Sequence, residues 1–175
     1  MNSHYPKILL VIALIGLTVL ASCSRDEPTL VAPVVVVPGA IVMNDTYSRG
    51  TPGNLDWIEL YNVGGTPVDL TGYKIYDSGG QTGVKSKKPI PAGTVVPAHG
   101  FYVVTTDTVS PGLTDDGFGL SSGGDEVWLE NASGAVIDHV QIPAMETTQT
   151  YGRYPDGGST WQLLNTITKG TSNKQ

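Results

Sequence analysis

The chain is short of cysteine, of basic charge and of long apolar runs, and each shortage removes a class of answers. One cysteine, Cys23, stands among 175 residues. No internal disulfide can form, so a folded domain must rest on its hydrophobic core. Lys and Arg number 10 against 16 Asp and Glu, a formal net charge of -6. That balance disfavours nucleic-acid binding by phosphate neutralisation and attraction to an anionic membrane surface. Histidine is scarce, and past the N-terminal region only His99 and His139 remain; two isolated histidines do not make a zinc site. No helical period is visible after residue 38. Only Ile8 to Leu20 forms a long apolar run.

That run of about 13 residues is short for a bilayer span, which needs ~20, but suits the h-region of a signal peptide. It ends at Leu20-Ala21-Ser22-Cys23, which resembles the bacterial lipobox. Small side chains fit a peptidase pocket before the cut, and the Cys23 thiol is the nucleophile that takes a diacylglyceryl group. Residues 1–22 are therefore read as a lipoprotein signal peptide. Residues 23–38 are read as the lipidated Cys23 and a Val/Pro-rich tether, with Pro28, Pro33 and Pro38 favouring extended backbone. Val34 to Val37 could alternatively add as an edge strand. Asp26-Glu27 is similar to the acidic export signals of surface-exposed bacterial lipoproteins, or is simply a solvated tether; both readings stay open. The expected partner is the membrane, through a lipid anchor at Cys23, since two or more acyl chains hold stably where one is marginal. The expected location is the cell envelope, as an outer membrane lipoprotein, with surface exposure open.

Residues 39–175 amount to one domain, long enough to bury a core without staples. Its organising stretch is Asp56-Trp57-Ile58-Glu59-Leu60-Tyr61-Asn62, alternating with period two into Gly64-Gly65. Ile58 and Leu60 are expected inside, Glu59 and Tyr61 outside, and Trp57 on a rim. A first strand is expected at Ala40 to Met43, then a polar loop from Asn44 to Leu55. Val68 to Gly72 leads by a tight turn into a strand at Tyr73 to Asp77, and further strands fall at Val84 to Ile90, Val95-Val96, Phe101 to Thr105, Asp125 to Glu130, Ala135 to Val140 and Gln149 to Tyr154. Trp161 is expected to close against the core. Turn chemistry at Ser78-Gly79-Gly80, Pro91-Ala92-Gly93 and Asn131 to Gly134 separates them. Short strands at this spacing predict an all-β sandwich.

Five blocks in register resemble the lamin tail domain family. They are Asp56 to Asn62 with Val68 to Tyr73; Ile90 to Thr94; Pro97 to Val104; Phe118 to Ser121 with Gly124 to Val127; and Gly152 to Gly157 with Trp161 and Lys169 to Asn173. His99 and the stretch Thr166 to Gly170 depart from the family pattern. The resemblance implies an immunoglobulin-like β-sandwich. It implies no activity, because fold does not carry function.

The candidate sites weigh as follows. Gly119-Leu120-Ser121-Ser122-Gly123 matches a nucleophile elbow, but no helix follows, so it reads as a hairpin loop. Asp138 and His139 are strand neighbours and point to opposite faces; His99 and His139 read as exposed polar positions. Asp107, Asp115-Asp116 and Asp125-Glu126 read as turn formers. Bound calcium stays open for them, although none has calcium-loop spacing, and no other cofactor is expected. Lys85, Lys87 and Lys88 read as edge-strand guards against sheet extension, with a surface patch for anionic partners as the alternative. Arg153 reads as a structural anchor, and Asn131-Ala132-Ser133 as a turn. Tyr47, Tyr76 and Trp57 are offered as contact residues only because aromatic side chains anchor well; they are not counted as sites, and the binding residues are left unassigned. No catalytic residue is named. The expected function is a non-catalytic binding or structural module for a protein or glycan partner. The alternatives are an accessory part of a secreted hydrolase or nuclease system and a periplasm-facing scaffold.

Overall fold

A computed structural model describes residues 39–175; the signal-peptide, Cys23 and tether readings lie outside the described residues. Eleven strands and one short helix follow one another. They are β1 (Ile41–Tyr47), β2 (Trp57–Asn62), β3 (Val68–Asp69), β4 (Lys74–Asp77), α1 (Ser78–Thr82), β5 (Lys88–Pro89), β6 (Val95–Val96), β7 (Phe101–Thr105), β8 (Gly124–Glu130), β9 (Val136–Pro143), β10 (Thr150–Arg153) and β11 (Trp161–Leu164). The larger sheet has the order β11-β10-β1-β2-β7, the second β5-β4-β8-β9, and β3 pairs with β6. All pairings are antiparallel, as in an immunoglobulin-like sandwich.

Period two decides the core. Ile58 and Leu60 of the first sheet meet Ile75, Val127, Leu129, Val140 and Ile142 of the second in one buried apolar cluster. Apolar burial of this kind is worth about 25 cal/mol per Å².

The opposite face of the first sheet departs from expectation. Glu59 is fully buried and Trp57 is 1% exposed, although the alternation does turn both away from Ile58 and Leu60. A strap after β11 covers them. The Gly170 N–H donates to Glu59 Oε2 at 2.6 Å, and the Lys169 ammonium lies 5.6 Å from the centre of the Trp57 ring. The expected polar loop at Asn44 is also corrected, since β1 continues to Tyr47. Polar residues sit buried there because each finds partners. A register shift between Met43 and Asp45 makes Asn44 the extra residue of a bulge. The Asn44 amide donates to Glu59 Oε1 and Asp156 Oδ1 and accepts from the Gly157 N–H. Asn173 closes the strap by donating to the Asn44 and Arg153 carbonyls. Gly152 must be glycine here, because a Cβ would lie 2.7 Å from Asp45 Oδ1 and 2.8 Å from Asn173 Nδ2.

Two further elements differ. Ser78 to Gly80 begins a helical turn rather than a plain one. The Asp77 carboxylate caps it by accepting from the Gly80 N–H at 3.1 Å, and Gly83 ends it in the left-handed region at φ 77°. Of the expected strand Val84 to Ile90, only Lys88-Pro89 pairs, at the sheet edge.

Arg153 joins the two sheets. Its Nε donates to the Met43 carbonyl at 2.7 Å, Nη1 to the Gly158 carbonyl at 2.6 Å, and Nη2 to both Asp138 oxygens at 3.0 Å. Asp138 Oδ2 also accepts from the Met43 N–H at 2.7 Å. Removing one partner of a buried pair strands the other charge. Asp138→Ala should therefore lower unfolding free energy by about 3–5 kcal/mol in urea titrations, and a loss under ~1 kcal/mol would refute the assigned role.

The layer under the strap makes stability depend on pH. Burial, with the nearby Glu59 and Asp156 charges, raises Asp45 from 3.8 to about 8. Burial, with Asp156, raises Glu59 from 4.5 to about 7. Both acids hold their proton more tightly when folded. Their contribution is complete below their ordinary values and is lost as pH rises through about 7 and about 8. Within those windows the slope reaches at most about 1.4 kcal/mol per pH unit for each group. Asp116 and Glu130, both held below their ordinary values, act only in acid. The melting temperature should fall by several degrees between about pH 5 and 9, and Asp45→Asn with Glu59→Gln should flatten that fall. A flat or rising wild-type profile would refute the reading.

Candidate functional site

A groove of about 640 Å³ lies at the β8–β9 end, lined by Ser78, Asp125, Glu126, Gln141, Pro143 and Tyr151 among others. Strand register builds it. Glu126 stands opposite Gln141, and Trp128 opposite His139, so these four share one face of the second sheet. His139 Nε2 lies 2.6 Å from Glu126 Oε1, and its ring stacks on Trp128 with centroids 4.9 Å apart. Trp128 stacks in turn on Tyr76 at 6.2 Å. The far wall is Tyr151 of β10, backed by Trp161 at 5.3 Å, whose other neighbour is the Arg153 guanidinium at 4.8 Å.

The groove thus offers carboxylate, amide and phenol groups on paired strands. These are hydrogen-bonding partners for a polar ligand, with an aromatic wall against which it can pack. Among the described residues, no serine, cysteine or lysine side chain is hydrogen-bonded to a histidine.

A second cavity of about 350 Å³ opens at the loop end, lined by Ser48, Arg49, Thr51, Asp56, Leu120 and Thr147 among others. Asp56 fastens two loops there. Its Oδ1 accepts from the Gly50 N–H at 2.6 Å and its Oδ2 from the Leu120 N–H at 2.8 Å. Burial, against these two hydrogen bonds, raises the Asp56 carboxyl above its ordinary value.

Several sequence candidates find other roles. Tyr47, Tyr76 and Trp57 are 4%, 1% and 1% exposed; they pack inside and are not contact residues. The lysines are not free edge guards. Lys85 pairs with Asp77 at 3.3 Å and Lys87 with Glu130, while Lys88 is buried against Asp116 and the Thr108 carbonyl. Burial pushes the Glu130 carboxyl up, but Lys87, Lys74 and the Tyr76 hydroxyl outweigh it and hold it below its ordinary value.

Two of the loop acids serve turns: Asp116 accepts from the Ser110 N–H, and Asp125 from those of Ser121 and Glu126. Asp107 instead ties two distant segments, accepting from the Asp56 N–H. Among the described residues, no three His, Cys, Asp or Glu side chains cluster as a metal site. Ser121 is exposed in a turn that feeds a strand, not a helix. Asn131 Oδ1 accepts from the N–H groups of Ser133 and Ala135, closing the expected turn. His99 is exposed at φ 52°, whereas His139 is half-buried between Trp128 and Glu126.

The groove itself was not foreseen. Its pairs depend on a cross-strand register, and Gln141 lies beyond the strand end that alternation suggests.

Comparison with curated proteins gives no match. The family model described as Lamin Tail Domain matches residues 37–144, from just before β1 to the end of β9. β10, β11 and the strap lie beyond the matched stretch, although β10 pairs with β1. With more than half of the chain matched and an antiparallel sandwich built from the same residues, this protein belongs to the lamin tail domain family.

Proposed function

We propose that the chain is a membrane-anchored lipoprotein of the cell envelope whose lamin-tail sandwich binds a protein or glycan without catalysing a reaction. The β8–β9 groove carries this reading. Glu126, Gln141 and Tyr151 present hydrogen-bonding groups at fixed strand positions, and His139, the neighbour of Glu126 on the same sheet face, is already engaged by it. Covalent catalysis needs a nucleophile beside a free base, whereas recognition needs only convergent polar groups on a rigid support. The anchor rests on Leu20-Ala21-Ser22-Cys23 at the end of the apolar run.

Two outcomes test this. Cys23→Ala should move the protein from the membrane fraction to the soluble fraction of lysed cells; an unchanged membrane fraction would exclude acylation as the anchor. Purified lipoprotein should show no turnover on esterase, nuclease and glycosidase substrates. Turnover abolished by one substitution would replace the binding reading with an enzymatic one. Protease shaving of intact cells then separates the two faces of the membrane. Loss of a C-terminal epitope with a periplasmic control intact favours surface display, and survival of both favours an envelope scaffold inside.

A further inference from the structure

We propose that the loop end of the sandwich holds a hard divalent cation of the calcium class, bound by the Asp56 and Asp107 carboxylates together with the Ser48 hydroxyl. This site is separate from the β8–β9 groove. Asp56, 6% exposed, holds the β1–β2 and β7–β8 loops through the Gly50 and Leu120 N–H groups. Its own N–H donates to Asp107 Oδ2 at 3.3 Å, which brings the second carboxylate alongside. Gly119 leaves room between the two. A Cβ at that position would lie 3.1 Å from Asp107 Oδ1 and 3.9 Å from Asp56 Oδ2.

The hydroxyls are an independent indication. Ser48 lines the same cavity as Asp56 and is 2% exposed, yet its Oγ has no hydrogen-bond partner. Thr106, whose N–H donates to the Asp56 carbonyl at 3.1 Å, is also fully buried with an unpartnered hydroxyl. Buried polar groups are normally paired, and an unpaired one points to a missing water or ion. Here Ser48 lines the cavity beside Asp56, and Thr106 is tied to the same residue through its backbone.

The donors nearby are oxygens. Thr51, Ser122 and Thr147 complete the polar lining, with no cysteine or histidine among the lining residues. Such a set suits calcium, which accepts six to eight oxygens in irregular geometry, better than zinc or copper. Two carboxylates make a site of low charge, which places affinity near the 10⁻⁴–10⁻³ M range of extracellular calcium modules. Arg49 lines the cavity as well. Its charge opposes a cation and would favour an anion, so its removal reads the sign of the ligand.

Terbium is the probe, because Trp57 and Tyr47, stacked at 6.0 Å, are chain neighbours of Asp56 and Ser48 and can sensitise its emission. Detergent-purified lipoprotein should show saturable terbium luminescence that calcium displaces. Asp107→Asn should weaken binding by about tenfold, since affinity follows ligand charge. Ser48→Ala should weaken it more modestly, and Arg49→Ala should tighten it. Melting in EDTA checks that each variant folds; if Asp107→Asn does not, the Arg49→Ala sign carries the test. The proposal is overturned if about 10 mM calcium, well above the range of extracellular modules, displaces no terbium. It is equally overturned if a folded Asp107→Asn binds as wild type, or if Arg49→Ala weakens binding.

Discussion

The sandwich depends on a single guanidinium. Arg153 donates to the bulged edge of β1, to the carboxylate of Asp138 on β9 and to the Gly158 carbonyl, and lies over the Trp161 ring. A rigid planar fork of donors can meet that many partners in one geometry, which a lysine cannot do. Burying a charge is costly unless every donor is matched, and here the matching partners come from different strands. The pair therefore fixes how β10 lies against β9. That placement carries Tyr151 to the groove it shares with Glu126 and Gln141, so the groove's aromatic wall is a consequence of the buried ion pair.

The second constraint is polar as well. One face of the first sheet packs an apolar core in the usual way, but the other buries Asn44, Asp45 and Glu59 under the strap. Asn44 acts as the junction between strand, strap and the Asp156-Gly157 turn. The stretch matched by the family model ends before any of the strap. Without β10, β11 and the strap, β1 would lose its pairing with β10 and this layer its cover. A buried polar layer is stabilising only when complete, so the C-terminal segment is integral to the sandwich.

This explains what the sequence disclosed and what it did not. The inner faces of β2, β7 and β8 were legible because alternation is a local signal and the core faces one side only. The burial of Glu59 and Trp57 was not, because the strap that covers them is far along the chain, 111 residues on from Glu59 at Gly170. The extension of β1 through Asn44-Asp45-Thr46 was hidden for the same reason: polar residues read as loop until their partners are known. The helical turn at Ser78 was more accessible, since Asp77 as its cap and Gly83 at its end are local start and stop signals; the glycine pair between them pointed to a turn instead. Lys88 reads as a surface charge until Asp116 and the Thr108 carbonyl are folded onto it. Glu126 of the groove and His139 beside it are 13 residues apart, and only the hairpin register makes them neighbours.

The two concavities differ in how their polar groups are supported, and that bears on what each can do under the proposed reading. The β8–β9 groove stands on a continuous ladder, and its Glu126 is bonded to the neighbouring His139, so a ligand meets a surface already arranged. The loop-end cavity is held by one carboxylate bridging two loops and keeps the buried Ser48 hydroxyl unpaired. Preorganised groups suit a partner bound through many modest contacts. Unpaired oxygens around a carboxylate suit a small ligand that supplies the missing interaction. Because Asp56 also fastens the loop that leads through Leu120 into β8, a cation bound there would brace the chain on its way to the groove wall at Asp125 and Glu126. Occupancy at the loop end would then support the binding surface by stiffening its approach, without any contact with the partner.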